Sequence, residues 1–241
     1  ERDRVKQQAS ELIRRVENEL QKNRHKLKKQ EKELLATDNA EEFRQKGELL
    51  TTFLHQVPND QDQVTLDNYY TNQPITIALD KALTPSQNAQ RYFKRYQKLK
   101  EAVKYLTELI EETKATILYL ESVETVLNQA GLEEIAEIRE ELIQTGFIRR
   151  RQREKIQKRK KPEQYLASDG KTIIYVGRNN LQNEELTFKM ARKEELWFHA
   201  KDIPGSHVVI SGNLNPSDEV KTDAAELAAY FSKGRLSNLV Q

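Results

Sequence analysis

The stretch "WFHAKDIPGSHV", residues 197–208, holds the only tryptophan of the chain and two of its four histidines. Several chemistries are open to it. An indole stacks on nucleobases, a lysine neutralises phosphate, and an imidazole does either at modest strength. Two imidazoles also suggest zinc, but zinc wants three or four ligands and no further His or Cys stands near His199 and His207. Ser206 lies directly before His207, yet "PGSHV" lacks the G-x-S-x-G elbow that would aim a serine nucleophile. The G-K-T of "DGKTIIYVG" lacks the upstream glycine of a phosphate loop and reads as a turn entering a strand. No catalytic residue, metal or cofactor is assigned, and the expectation is a binding protein, not an enzyme.

The local geometry can be anticipated. Alternation puts Trp197, His199 and Lys201 on one strand face and Leu196, Phe198 and Ala200 on the other. Pro204 and Gly205 suit a type II turn, with Gly205 supplying the positive φ. With 202–205 as the loop, Ala200 lies opposite His207 and the two imidazoles take opposite faces. A loop one residue different reverses that.

A second cluster is purely electrostatic. "RRRQREKIQKRKK", residues 149–161, carries Arg149, Arg150, Arg151, Arg153, Lys155, Lys158, Arg159, Lys160 and Lys161 against the single Glu154. The chain as a whole is nearly balanced at +2, so a case for a polyanion partner rests on this clustering. The bland alternative is a solvated helix face. An acidic membrane surface is disfavoured, because the neighbouring helices keep no spare apolar face, and no apolar run reaches the roughly 20 residues of a membrane span.

These clusters need elements to hold them. With 32% charged and 37% hydrophobic residues, the chain suits long solvated helices more than one thick core. It has no cysteine, which excludes disulfides and thiol chemistry. Residues 1–36 contain no Gly or Pro. Ala9, Ile13, Val16, Leu20, Asn23, Leu27, Gln30 and Leu34 form a heptad seam in which Asn23 would fix the register. A second seam runs through Tyr92, Phe93, Tyr96, Leu99, Val103, Leu106, Ile110, Thr113, Ile117, Leu120 and Leu127, after a helix start at Thr84-Pro85. Two seams in one chain predict an antiparallel intramolecular coiled coil, with dimerisation through either helix as the alternative. About 35 residues of such a coil would reach roughly 50 Å.

Residues 37–84 read as a small inserted α/β module, one helix and two short strands. The second coil helix and a further helix ending near Gly146 occupy 85–148. The basic neck is 149–161. Residues 162–241 read as a compact α+β domain with strands in "KTIIYVG", "ELTFKM", "ELWFHA" and "HVVISG", then a helix capped by Asn215. The fold class is therefore α+β. The ends, "ERDRVKQQAS" and "RLSNLVQ", suggest a piece of a longer protein with an incomplete last domain.

Several segments together resemble the NFACT proteins, the bacterial fibronectin-binding protein A-like or ribosome quality control protein H group. "ITIALDKALTPSQNAQRYFKRYQKLKEAV" is similar to the opening of their second coil helix, and "DNAEEFRQKGELLTTFLHQV" with "LDNYY" to the segment between their coils. "KTIIYVGRNNLQNEELTFKMARKEELWFHAKDIPGSHVVI" resembles their NFACT-R domain. The matching positions are Gly177, Arg178, Asn179, Asn180, Asn183, Trp197, His199, Ala200, Lys201, Pro204, Gly205, Ser206 and His207. The resemblance implies a factor that binds the obstructed large ribosomal subunit and tRNA and supports alanine tailing of stalled chains. The implied partners are the large subunit, rRNA and tRNA, in the cytoplasm. It also implies the alternative of a fibronectin-binding surface adhesin in host attachment. Arg178, Arg192, Lys193, Lys201 and His199 become candidate RNA contacts beside Trp197, His207 and the neck. Asn179, Asn180 and Asn183 are as well suited to capping and turning the backbone as to touching a ligand.

Overall fold

A computed structural model describes residues 2–241. The chain divides into two compact units, residues 25–114 and, in the other, residues up to Arg24 together with Ala115–Gln241. Two long helices, α1 (Arg2–Leu35) and α3 (Pro85–Leu127), contribute to both. Neither contains an internal glycine or proline. Thr84 and Gln87 start α3 as a reciprocal capping box: the Gln87 N–H donates to Thr84 Oγ1 at 3.2 Å, and the Thr84 N–H to Gln87 Oε1 at 2.9 Å.

Within residues 25–114 the helices meet through a polar pair, where buried Thr113 donates its hydroxyl to Gln30 Oε1 at 2.9 Å. This pair specifies the register that was expected of Asn23. The Asn23 amide instead donates to the Glu19 carbonyl of its own helix at 2.8 Å, because a side chain that can satisfy itself locally need not cross the seam. The inserted module lies in the same unit: α2 (Ala40–Thr52), then antiparallel β1 (Gln63–Asn68) and β2 (Gln73–Ala78). On β1 buried and exposed positions alternate, so Val64 and Leu66 join Leu49, Leu50, Ile77 and Ala89 in a local core.

In the other unit Leu12, Val16 and Leu20 of α1 pack with Leu120, Val123 and Leu127 of α3, and Arg24 reaches Glu121 at 3.0 Å. The pairing is antiparallel. A further helix, α4 (Leu132–Gln144), adds Ile135, Ile138 and Leu142 to this core. That third partner is why Leu12, off the expected seam, is fully buried. The chain leaves α4 through Gly146 at φ 84°, a left-handed exit that a side chain would strain.

The neck then runs without helix or strand between residues 149 and 161, with a turn at Gln152-Arg153 where Arg153 takes φ 71°. It leads into a head with strands β3 (Glu163–Leu166) and β4 (Ile173–Val176), helix α5 (Asn180–Glu185), strands β5 (Trp197–Phe198) and β6 (Val208–Ser211), and helix α6 (Asp218–Tyr230). The sheet is antiparallel in the order β3-β4-β6-β5. Val220, Ala224 and Ala228 of α6 cover Ile174, Val176, Val208 and Ile210.

Two expectations are corrected here. "ELTFKM" is not a strand but the end of α5 and one wide turn, Leu186–Met190, because Asn179 Oδ1 accepts the Gln182 N–H at 2.8 Å and nucleates helix upstream. The cap of α6 is Ser217, whose hydroxyl accepts the Val220 N–H at 3.4 Å, rather than Asn215. Among the described residues no helix is long and apolar enough to cross a membrane.

One group is held at a cost. The Glu141 carboxyl is 2% exposed, beside Tyr119, Asn180 and Leu181. Burial, reinforced by the charge of Glu184, pushes it up from 4.5 to about 7. The folded state thus keeps a proton that the unfolded chain releases, so stability falls as pH rises through that window and stays reduced above it. Glu141→Gln should therefore raise Tm at about pH 8, by up to about 3 kcal/mol of stability, and give little gain near pH 4.5; thermal melts across pH check this.

Candidate nucleic-acid interface

The head exposes a group of three rings. Trp197 on β5 is 50% exposed and its indole lies parallel to the His199 imidazole, ring centroids 5.7 Å apart. His207 stands edge-on to both, 5.3 Å from each. The strand alternation explains the outward face, since Phe198 and Leu196 turn into the core beneath α6 and Ala200 is buried.

The loop differs from the expected tight hairpin. Trp197 pairs with Val209 and Phe198 with Val208, a register that carries His199 to the position opposite His207. The imidazoles therefore converge instead of taking opposite faces. Gly205 does not adopt positive φ, so there is no type II turn; Asp202 supplies the left-handed residue at φ 57°. The Pro204-Gly205 segment is drawn to the end of α6, where the Lys233 N–H donates to the Pro204 carbonyl at 2.8 Å and the Ser206 N–H to the Phe231 carbonyl at 3.0 Å. No group of three His, Cys, Asp or Glu able to hold a metal occurs among the described residues.

His207 is clamped from behind. Its Nδ1 is 2.6 Å from Thr187 Oγ1, and its backbone N–H donates to Asn183 Oδ1 at 3.0 Å. Burial, with the neighbouring His199, pushes its imidazole down to about 4, so at neutral pH it is an uncharged ring supporting the stack. Asn183 can reach it because residue 177 is glycine: a Cβ there would lie 2.1 Å from Asn183 Oδ1. The other asparagines of this segment are also structural. Asn179 caps α5 and donates to Glu137 at 3.2 Å, and Asn180 accepts from Ser122 on α3 at 3.0 Å.

The candidate cations fall into two groups. Arg192, Lys193 and Lys201 are exposed on the turns flanking β5, and among the described residues none has an ion pair. Arg178 departs from the expectation of an RNA-facing contact. Its side chain is 11% exposed, 3.3 Å from both Glu134 and Glu163, with the guanidinium 4.1 Å from the Phe231 ring centroid. It joins α4, β3 and the end of α6.

The neck is likewise divided. Its backbone passes along acidic residues of α4 and α1. Arg150 grips Glu140 at 2.9 Å, Arg151 reaches Glu11 at 3.0 Å, Lys160 pairs with Glu133, and Arg159 donates to Gln144 at 3.2 Å. Glu154 faces inward to Arg139 at 2.6 Å, which with the Arg151 N–H pulls its carboxyl down to about 2. Arg149, Arg153, Lys155, Lys158 and Lys161 remain exposed and without an ion pair among the described residues.

Thr187 and Phe188 escaped the sequence reading. Reading "ELTFKM" as a strand hid the His207 partner, and it also hid Phe188, which is 80% exposed on the wide turn. The usable signal was the Asn-rich cap before it.

A helical hairpin that carries a small inserted module and ends in an α+β head defines a coiled-coil protein with a compact appended domain. Within that class the chain belongs to the NFACT family: residues 1–161 match the NFACT N-terminal and middle domains, and residues 161–238 the NFACT protein RNA binding domain. It is 97% identical over 241 residues to the Rqc2 homolog RqcH of Streptococcus pneumoniae strain D39, 77% to that of Streptococcus suis, and 45% over 247 residues to that of Bacillus subtilis. It spans less than half of these relatives, 44%, 44% and 43% of their lengths, while the whole of this chain is covered. The fold is also similar to the C-terminal structure of the fibronectin/fibrinogen-binding protein from Streptococcus suis, with TM-score 0.80 and 66% identity over 98% of this chain and 82% of that one.

The clamp makes a prediction. Gly177→Ala drives a methyl into Asn183 and should destabilise the chain by about 1–3 kcal/mol through overpacking. Urea unfolding followed by the fluorescence of Trp197 measures it.

Proposed function

We propose that this chain is the RNA-binding part of a ribosome quality control factor. Its ligands are rRNA and tRNA on the obstructed large ribosomal subunit, its role is to support alanine tailing of the stalled chain, and its place is the cytoplasm. One observation carries the reading: an exposed indole lies ring-parallel with an imidazole on a strand flanked by Arg192, Lys193 and Lys201, none of which makes an ion pair among the described residues. The match of residues 161–238 to the RNA binding domain of the family supports it.

In this reading bases stack on Trp197 and His199, worth about 1–3 kcal/mol per base. Arg192, Lys193 and Lys201 neutralise the adjoining phosphates and release counterions. Neutral His207 contributes shape rather than charge. Arg149, Arg153, Lys155, Lys158 and Lys161 extend the positive track along the neck, whereas Arg150, Arg151 and Lys160 hold the neck in place and Arg178 holds the head.

A second reading draws on the name of the Streptococcus suis protein, a fibronectin/fibrinogen-binding protein. It makes this chain an adhesin fragment at the cell surface.

Co-sedimentation with purified large ribosomal subunits over a salt series, with immobilised fibronectin assayed in parallel, separates the two. Ribosome binding should weaken steeply with salt. Replacing Arg149, Arg153, Lys155 and Lys158 with Gln should reduce the slope of log K against log salt by up to about 3, at about 0.7 per phosphate contact for single strands. Saturable fibronectin binding without ribosome binding would establish the adhesin reading in its place.

A further inference from the structure

The unit of residues 25–114 holds a second cluster that the head and neck do not use. Along the first turns of α3 stand Arg91, Lys94, Arg95, Lys98, Lys100 and Lys104, with Glu101 as the single acid between residues 91 and 104. Arg91, Arg95 and Lys98 follow the four-and-three spacing of one helix face. Beside them a cavity of about 390 Å³ opens between α2, the end of β2 and α3, lined by Phe43, Ala78, Leu79, Arg91, Tyr92 and Arg95. That volume falls within the range of small-ligand sites.

The cavity is lined by an aromatic pair. Phe43 and Tyr92 are stacked with centroids 6.0 Å apart. The Tyr92 hydroxyl donates to the Ala78 carbonyl at 2.6 Å, which pins that ring to the sheet as a fixed wall. The Arg95 guanidinium lies 5.1 Å from the Phe43 ring centroid, and Lys46 approaches the same ring at 6.0 Å. Arg91 meets Asp80 only at 3.5 Å, with the Arg91 side chain largely exposed and that of Asp80 partly so, and this weak pair leaves guanidinium donors available.

We propose that this cavity is a nucleotide site for single-stranded RNA, with the base against Phe43 and Tyr92 and its phosphate held by Arg91 and Arg95. Each part of the ligand answers a part of the site. A free phosphate or an acidic peptide would use the cations but leave the aromatic wall unmatched. The further cations at Lys94 and Lys98 fit a continuing phosphate chain rather than a single anion. Bidentate guanidinium contacts suit phosphate oxygens. The site extends the RNA-binding reading to a second place on the chain, and its test is separable from that of the head.

The test is ultraviolet crosslinking of a uridine-rich single-stranded RNA of about 12 nucleotides to the whole chain, with adducts mapped by mass spectrometry. Adducts are expected on Phe43 or Tyr92 as well as on Trp197. In the double variant Arg91→Gln with Arg95→Gln, both at exposed positions, the Phe43 and Tyr92 adducts should fall by about tenfold while the Trp197 adduct and Tm stay unchanged. Adducts confined to Trp197 would overturn the module site and leave the head reading standing. Absence of adducts everywhere would overturn both. Equal displacement of the module adduct by polyglutamate and by polyuridylate at matched charge would also overturn it, in favour of an acidic protein segment.

Discussion

Arg178 is the constraint on which the functional half of the structure depends. Its guanidinium is held between Glu134 of α4 and Glu163 of β3 and rests on the Phe231 ring, while the Arg178 backbone N–H donates to Gln182 Oε1 at 3.0 Å. One side chain therefore ties the helix that carries the neck to the strand that ends it and to the far end of α6. A guanidinium is suited to this because it stays charged, stacks on an aromatic face and serves two carboxylates at once. Loss of the cation would remove both ion pairs and the contact with Phe231, at a cost of about 1–3 kcal/mol. Glu134 and Glu163 would keep the Gly131 N–H and the Tyr165 hydroxyl as donors and part of their contact with water. One of the residues expected to face RNA is thus held within the protein.

Electrostatics divides labour in the same way along the neck. A run of like charge would repel itself and fray in isolation. Here Glu11, Glu133 and Glu140 take up Arg151, Lys160 and Arg150, and the backbone is held between them. The remaining cations face solvent from a fixed backbone. A polyanion then meets charges whose positions are already set, which lowers the ordering cost of binding. The head follows the same pattern: His207, kept neutral by burial, gives up charge in order to support the exposed Trp197 and His199 rings.

Much of this was legible in the sequence. The four-and-three spacings of the two seams, the Thr84-Pro85 start, the two-strand module and the outward face of Trp197 and His199 all reflect local rules: periodicity, capping and alternation. What escaped depends on partners distant in sequence. Leu12 is buried because α4 covers it, and Asn23 turns onto its own helix because Gln30 and Thr113 already supply the seam contact. The convergence of His199 and His207 turns on a one-residue register that the α6 end sets by binding Pro204 and Ser206. Arg178 is recognisable as a clamp only once Glu134, Glu163 and Phe231 are assembled around it. The cationic face of α3 was visible in "RYFKRYQKLK" all along, but it was read for its apolar seam alone.

The central claim is that the exposed Trp197 stack receives RNA bases while Arg192, Lys193 and Lys201 on the flanking turns receive the phosphates. Trp197 is the single tryptophan, so its fluorescence reports that site alone. Titrating the chain with single-stranded RNA at several salt concentrations tests the claim most directly. The account predicts saturable quenching whose midpoint shifts steeply to higher RNA concentration as salt rises. Fluorescence unchanged at RNA concentrations where binding is seen by another method would contradict it, because the bases would then be bound elsewhere than on Trp197.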